Sequence, residues 1–461
     1  MITQSRNLSD MQSKLLAWLQ EKMPQARNLS ISRMEPPSAG MSNETLLFNL
    51  NWEEADKHRS EGRVFRTVPR SDATFPDYDM GKQFRIMQAL QVTKVPVPRV
   101  LWLEEDKKVL GAPFYIMTKI EGSIPLSYPS YHSAGFYYDA TPEQRAKIWW
   151  GALEALAEVH KIEWKSLELD FLDVPGGGTN PVDRQLEYWE RYLDWAKDDP
   201  DEPQPVLRES LEWLKKNHYA PEHVTLCWGD ARMLNTIYSN SNLELLALLD
   251  WEMAYLGDPE SDLGWFLFQD WQQCENYNIL PLEGTPSRES AVQRYEQITG
   301  YRVQNLFYNE ILAAFRYGAI VFRICKNHRR RGLSIPDGME INNISTQRLS
   351  TLLKLPPPGP PKKLTSKIEE MIVTVQFHLT GPDGGDFYVV VDKGQGKRYN
   401  GVVADSDITV SASAADWAAI QRGDTGSTRN LLLSERLKID GDMSLLMQLQ
   451  RNNSFPKHGE I

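Results

Sequence analysis

The sequence predicts an α+β chain in two folded parts, and three observations carry that expectation. Strand signals crowd residues 1–120, helical periodicity takes over across 121–354, and strands and helices alternate again over 365–461, after a proline-rich run at 355–364. The run Leu355-Pro-Pro-Pro-Gly-Pro-Pro-Lys-Lys363 can continue neither a helix nor a sheet ladder, because proline lacks the N–H that both require. At ~3.1 Å per residue an extended run of this kind suits a spacer between domains. A rigid loop within one domain is the alternative, and the change of pattern on either side favours the spacer. A chain of 461 residues also exceeds the ~250–300 residues at which single cores stop growing.

Element by element, Leu8–Met23 reads as a helix, with Ser9 and Gln12 spaced for a capping box. Strand signals follow at Leu29–Met34, Thr45–Asn51 and Arg63–Val68, then a helix at Asp79–Leu90 and strands at Val100–Glu104 and Phe114–Lys119. Thr141-Pro-Glu-Gln144 supplies an N-cap, a proline at the first helical position and a capping-box glutamine. Ile148, Ala152, Leu156 and Val159 then repeat at helical spacing. Beyond the proline run, Val373–Leu379 alternates as a half-buried strand, Phe387–Val391 and Asp407–Ser411 are two more, and Ala414–Gln421 and Met443–Gln450 read as helices.

Composition narrows the function classes. Apolar residues at 41% and charged residues at 25% are those of a globular chain. The net charge of −11 is a poor match to nucleic acid, which needs a cationic face. Cys227, Cys274 and Cys325 show neither a disulfide framework nor a metal spacing. The start MITQSRNLSD lacks the apolar core of a signal peptide, and no run approaches the ~18 apolar residues of a transmembrane segment. A cytoplasmic protein without a membrane span is the expectation.

The densest chemistry lies between Leu226 and Glu252. Thr236–Tyr238 and Leu243–Leu249 flank the polar turn Ser239-Asn-Ser-Asn242 and read as a hairpin. Folding back in this way brings Asn235 and Asp250 together at its open end, and Asp230, five residues before Asn235, reaches the same place. Carboxylate and amide oxygens suit octahedral Mg²⁺, which leaves positions for nucleotide phosphates. A further carboxylate can accept the proton of an attacking hydroxyl. Protein kinases space a catalytic Asp, a metal-binding Asn and a second metal-binding Asp in this manner.

Trp228-Gly-Asp-Ala-Arg-Met-Leu-Asn235 and Leu249-Asp-Trp-Glu-Met-Ala-Tyr-Leu-Gly-Asp-Pro-Glu-Ser-Asp-Leu-Gly-Trp265 resemble the aminoglycoside phosphotransferase/choline kinase family, in its branch linked to acyl-CoA dehydrogenases. The resemblance spans about residues 10–350. It implies a bilobal protein-kinase-like fold, with a β-rich lobe over 1–120 and a helical lobe over 121–354, and it implies ATP and Mg²⁺ as nucleotide and metal. Asp230 would then be the catalytic base, Asn235 and Asp250 the metal ligands, and Asp258 and Asp262 braces of the site. Ser42 and Asn43, in Ser38-Ala-Gly-Met-Ser-Asn43, would cover phosphates. Arg66 takes the place of the family's strand cation, and Met117 and Ile120 belong to the strand and hinge behind the adenine. One departure stands out. The helix motif M-G-R-E-Y is here Met80-Gly-Lys-Gln83-Phe, so Gln83 replaces the glutamate that would orient Arg66. An amide oxygen can still accept from Arg66, but without ion-pair attraction, which opens a pseudokinase reading.

Residues 365–461 resemble the sterol carrier protein 2 family through Asp407-Ile-Thr-Val-Ser411, Asp416-Trp417 and Leu437-Lys-Ile-Asp-Gly-Asp442. That resemblance implies an apolar tunnel for acyl chains, acyl-CoA or sterols, with Leu445, Leu446 and Leu449 as lining or as plain core. Together the two resemblances imply a kinase for a hydroxyacyl-CoA or a lipid- or sterol-derived acid. A kinase for an aminoglycoside- or choline-like alcohol and a pseudokinase lipid carrier are the alternatives. The basic run Lys326-Asn-His-Arg-Arg-Arg331 either closes a helix C-terminus or grips the phosphates of a coenzyme A carrier.

Overall fold

A computed structural model describes residues 8–37, 44–55, 57–69, 73–172, 180–333, 335–336, 338–358, 372–382, 384–392, 395–421, 436–441 and 449. Two compact units emerge: Met1–Arg330 with Asn343–Pro358, and Arg331–Asn342 with Gly359–Ile461.

The first unit begins with α1 (Leu8–Lys22) and a five-stranded sheet of β1 (Arg27–Ile31), β2 (Glu44–Glu54), β3 (Lys57–Thr67), β4 (Val100–Glu104) and β5 (Phe114–Thr118) in the order β1-β2-β3-β5-β4. Between β3 and β4 runs α2 (Met80–Leu90), capped where Asp79 accepts the Lys82 amide at 2.7 Å. Side chains alternate between the faces of a strand, and that period divides labour here. Phe65, Phe114 and Ile116 join Leu15, Trp18 and Leu19 of α1 in one apolar core. Arg66, Tyr115 and Met117 take the intervening positions and so share the opposite face, with Arg66 and Tyr115 directly paired across β3 and β5.

Helices then dominate. The one-turn helices α3 (Lys107–Leu110) and α4 (Phe136–Asp139) precede α5 (Pro142–His160), whose Thr141–Gln144 capping box forms as the sequence predicts. After α6 (Pro181–Trp195) and α7 (Pro205–Lys216), two small ladders pair β6 (Thr225–Cys227) with β9 (Tyr255–Gly257) and β7 (Thr236–Tyr238) with β8 (Leu245–Leu248). The second is the expected hairpin. Helices α8 (Pro259–Glu275), α9 (Arg288–Thr299), α10 (Leu306–Arg330) and α11 (Ile344–Leu353) complete the unit.

In the second unit β10 (Ile372–Thr380), β11 (Gly385–Asp392), β12 (Gln395–Asn400), β13 (Ile408–Ser413) and β14 (Lys438–Gly441) form a sheet in the order β12-β11-β10-β13-β14, with α12 (Ala414–Gln421) following β13. Val373, Val375, Phe377 and Leu379 point to one core, where Phe377 stacks on Phe387 at 4.8 Å and meets Trp417 at 4.9 Å. Gln376, on the other face, is 1% exposed. Its Nε2 donates to the Phe387 and Gly401 carbonyls at 2.9 and 3.3 Å, and its Oε1 accepts the Val403 amide at 2.9 Å.

Several expectations change. Helix α1 already starts at Leu8, which puts Ser9 inside its first turn, and Gln12 donates to the Ile31 carbonyl at 3.3 Å instead of closing a capping box. Strands β12 and β14 had no sequence signal, because Gln395-Gly-Lys-Arg-Tyr-Asn400 lacks apolar alternation and β14 is four residues long. Leu449 packs in the core, whereas Leu445 and Leu446 lie outside the described residues.

Candidate active site

The hairpin brings its open end together as the sequence predicts. The Leu249 amide donates to the Asn235 carbonyl at 2.8 Å, and Asp250 follows with φ at +63°. That left-handed conformation is disfavoured for a residue with a Cβ, and it is held by the ladder on one side and by Trp228 Nε1, which donates to the Leu249 carbonyl at 2.8 Å, on the other. Asn235 Nδ2 donates to Asp230 Oδ2 at 2.8 Å and to the Asp230 carbonyl at 3.0 Å, and no described residue donates to Asn235 Oδ1. Asp230 Oδ1 accepts the Trp265 indole N–H at 3.0 Å, and Arg232 Nη2 lies 2.9 Å from Oδ2. Burial raises the Asp230 pKa above the usual carboxylate value; Arg232 opposes this and the Asp250 charge adds to it.

From the sheet, Arg66 reaches across 184 residues of sequence to Asp250, with Nη2 3.0 Å from Oδ1. Burial by itself would lower the pKa of this guanidinium, but Tyr115, Asp250 and Glu252 hold it raised. Gln83 forms no hydrogen bond with Arg66. Its Oε1 accepts the Tyr115 hydroxyl at 3.2 Å, so the expected Gln83–Arg66 bond is replaced by a neutral contact one strand over. Burial, with Asp250 and Glu252, pushes the Tyr115 phenol up to about 12 against the opposing charge of Arg66.

The turn Trp228-Gly229-Asp230 is braced from beneath. Asp262 is fully buried on α8 and accepts the Trp228 and Gly229 amides, the latter at 2.9 Å. Gly229 has φ +86°, and a Cβ there would stand 2.1 Å from the Met253 carbonyl oxygen, so this position demands glycine. His160 meets Asp262 at 3.3 Å through Nε2 and the Tyr295 hydroxyl at 2.6 Å through Nδ1. His160, Cys227 and Asp262 lie within metal-cluster distance of one another, but the histidine nitrogens and the carboxylate oxygens are already hydrogen-bonded. Asp258 caps α8 and accepts from Tyr219, and Glu260 accepts the Gln304 and Asn305 amides at the start of α10.

Two further placements bear on the sequence reading. Met117 is buried on β5 and Ile120 follows it half-buried, whereas Ser42 and Asn43 lie outside the described residues. At the end of α10, Lys326 pairs with Glu202 and Arg330 with Asp198, which favours the helix-terminus reading of the basic run over a phosphate grip. Trp265 closes the second quoted motif, but nothing in the sequence pointed to its contact with Asp230, 35 residues away, and Arg316, 87 residues from Gly229, carried no local signal.

A strand-rich lobe and a helical lobe meeting at an Asp-Asn-Asp cluster define a kinase-like phosphotransferase architecture. The chain belongs to the phosphotransferase enzyme family, whose sequence model matches residues 33–298, and it carries a C-terminal match to the SCP-2 sterol transfer family over 353–452. Acyl-CoA dehydrogenase family member 10 from Mus musculus is 30% identical over 226 residues, which is 49% of this chain and 19% of that protein. Family member 11 from Homo sapiens is 27% identical over 263 residues, 55% of this chain and 31% of that protein. The chain thus spans less than a third of each of these two relatives. A crystal structure of a protein described as an aminoglycoside phosphotransferase, from Ralstonia eutropha, superposes with a TM-score of 0.53 at 22% identity, over 74% of this chain and 96% of that one; this likeness bears on the fold. No described helix is long and apolar enough to cross a membrane.

Proposed function

We propose that the chain is an ATP- and Mg²⁺-dependent small-molecule kinase that phosphorylates a hydroxyl group of a hydroxyacyl-CoA or a lipid- or sterol-derived acid. The observation that carries the kinase reading is the convergence of Asp230, Asn235 and Asp250, with Arg66 arriving from the sheet at 3.0 Å. This donor set fits a hard divalent cation: Asp250 offers a carboxylate, and Asn235 an amide oxygen to which no described residue donates. A bound Mg²⁺ supplies charge neutralisation at the nucleotide phosphates.

Asp230, held by Trp265 and Asn235, takes the proton of the acceptor hydroxyl as its oxygen bonds to the γ-phosphorus and the bond to ADP breaks. Burial raises the proton affinity of this carboxylate, which suits a base that must accept and later release a proton. Arg66 exchanges Asp250 for phosphate oxygens, and Met117 and Ile120 line the adenine side. Ser42 and Asn43 belong to the phosphate-covering segment in this reading.

The acyl acceptor is favoured by the C-terminal SCP-2 region and by relatives named as acyl-CoA dehydrogenase family members. A lipid-binding region on the same chain would raise the local concentration of an apolar acceptor. The boundaries 1–120, 121–354, 355–364 and 365–461 describe this division into two lobes, spacer and lipid-binding part. Cytoplasmic placement follows as part of the same reading. The test is product analysis by mass spectrometry with MgATP and a panel of hydroxyacyl-CoA esters, choline, ethanolamine and aminoglycosides. A phosphorylated acyl-CoA is expected; phosphorylation of cationic alcohols alone would overturn the acyl reading.

The Gln83–Tyr115 contact favours a second reading, in which the kinase part binds nucleotide without transfer and the chain is a nucleotide-responsive lipid carrier. Stabilisation by nucleotide with no product across the whole panel would select it.

A further inference from the structure

Arg316 sits on α10 and is 1% exposed. Burying a guanidinium is strongly unfavourable unless its charge and donors are matched. Among the described residues, no carboxylate lies within ion-pair distance of Arg316, and its Nε and Nη1 donate to no acceptor. What surrounds it is aromatic. The guanidinium carbon stands 4.5 Å from the Trp265 ring centroid, 5.3 Å from Trp189 and 6.0 Å from Tyr255, within the range of cation–π attraction. Among the described residues, its one hydrogen bond runs from Nη2 to the Gly229 carbonyl at 2.7 Å.

These contacts meet at one place. Gly229 is the residue before Asp230, and Trp265 donates its indole N–H to Asp230 Oδ1 at 3.0 Å. A single buried cation therefore holds both the backbone that carries Asp230 and the ring that orients its carboxylate. Asp262 secures the amide of Gly229 from α8, and Arg316 secures its carbonyl from α10, so this glycine is gripped on both sides. An apolar side chain of similar volume would fill the aromatic box without stranding two donors. The arrangement makes sense as a device for placing Asp230.

We propose that Arg316 is a positioning residue for the transfer reaction, aiming Asp230 by holding the Gly229 carbonyl and the Trp265 ring at once. This rests on the reading of Asp230 as the base. Misplacement by about 1 Å at a reacting group can cost on the order of 100-fold in rate.

The test uses the full chain with ¹⁵N-labelled tryptophan, reading solvent exchange of the indole protons; Trp265→Phe identifies the Trp265 signal among the 14 tryptophans. In Arg316→Met, Trp265 exchange is expected to accelerate at least about 10-fold, since its hydrogen-bonded geometry loosens. Trp251, whose indole donates to the Leu248 carbonyl, keeps its rate, and MgADP affinity stays within about twofold. An unchanged Trp265 rate, or equal acceleration at Trp251, overturns the proposal. If Arg316→Met does not melt cooperatively, Arg316→Lys is read by the same criteria, and failure of both to fold would assign Arg316 to stability alone and overturn it. The exchange readout needs no acceptor, so it stands apart from the kinase reading. Full turnover in Asp230→Asn would sink the base, and the positioning role with it, while leaving the exchange result as it is.

Discussion

The Gln83 amide oxygen accepts the Tyr115 hydroxyl at 3.2 Å, and Arg66, the neighbour of Tyr115 across the ladder, pairs with Asp250 at 3.0 Å. A neutral residue on α2 has left the strand cation to a carboxylate of the opposite lobe. Gln83→Glu should return an acidic partner to the sheet face and compete for Arg66. A charge-assisted bond of about 1–2 kcal/mol would release Asp250, and kcat/KM for MgATP should rise several-fold. Steady-state kinetics at varied MgATP check this. An unchanged or lower kcat/KM would mean that Asp250 needs its pairing with Arg66.

Asp230→Asn keeps the size of the side chain and the Trp265 neighbour while removing the proposed base. Turnover should fall by roughly 10²–10⁴-fold, with MgADP affinity within a few-fold of the parent by calorimetry. A parallel loss of both would point to collapse of the turn.

Glu310 on α10 receives Arg288 at 2.8 Å and also Arg348. Burial would raise its pKa, but the two guanidinium groups overcome that and hold it below the ordinary glutamate value. A carboxylate whose folded pKa is depressed contributes stability above its unfolded pKa and loses it as pH falls through the folded one. Thermal melting should therefore weaken progressively below about pH 4.5, the ordinary value. Glu310→Gln should cost about 1–2 kcal/mol at neutral pH, because Arg288 and Arg348 stay partly exposed and solvent screens the loss, and it should flatten that acid limb; an acid limb of the same size in the variant would refute the assignment.

Gly229→Ala sets a methyl against the Met253 carbonyl at a φ of +86°. Strain of this kind costs about 1–3 kcal/mol, and the clash adds to it. Denaturant unfolding should show a loss of at least about 2 kcal/mol, and a neutral outcome would mean that the turn can relax.

In the second unit, Gln376→Ala removes an amide that engages the Phe387, Gly401 and Val403 backbone. Each buried group left without a partner costs about 1–3 kcal/mol. Amide exchange should accelerate at Val403, while the Phe377–Phe387 core keeps its protection.

How much of this was legible in the sequence depends on the range over which each signal acts. The Thr141–Gln144 cap, the 236–248 hairpin and the strands of the first sheet follow from neighbours a few residues apart, although β1 lies a few residues before the expected Leu29–Met34 and β3 starts at Lys57, six residues before the apolar signal at Arg63. Asp230, Asn235 and Asp250 were readable because a hairpin joins them. Contacts that skip across the chain were not. Arg316 reaches Gly229 over 87 residues and Lys326 finds Glu202 over 124, and neither pairing leaves a local pattern. The Gln83–Arg66 expectation failed for a related reason. Cross-strand register sets Tyr115 beside Arg66, and a phenol hydroxyl offers the amide a better-matched neutral partner.

Asp230, Asn235 and Asp250 all ride on backbone between β6 and β9, whereas Arg66 belongs to the sheet, joined to them through the stretch after β5. Any rotation of the sheet about that stretch would lengthen the Arg66–Asp250 separation and leave the 2.8 Å Asp230–Asn235 contact untouched. The first distance is then a gauge of how far the cleft stands ajar, and the second a fixed reference against which to read it.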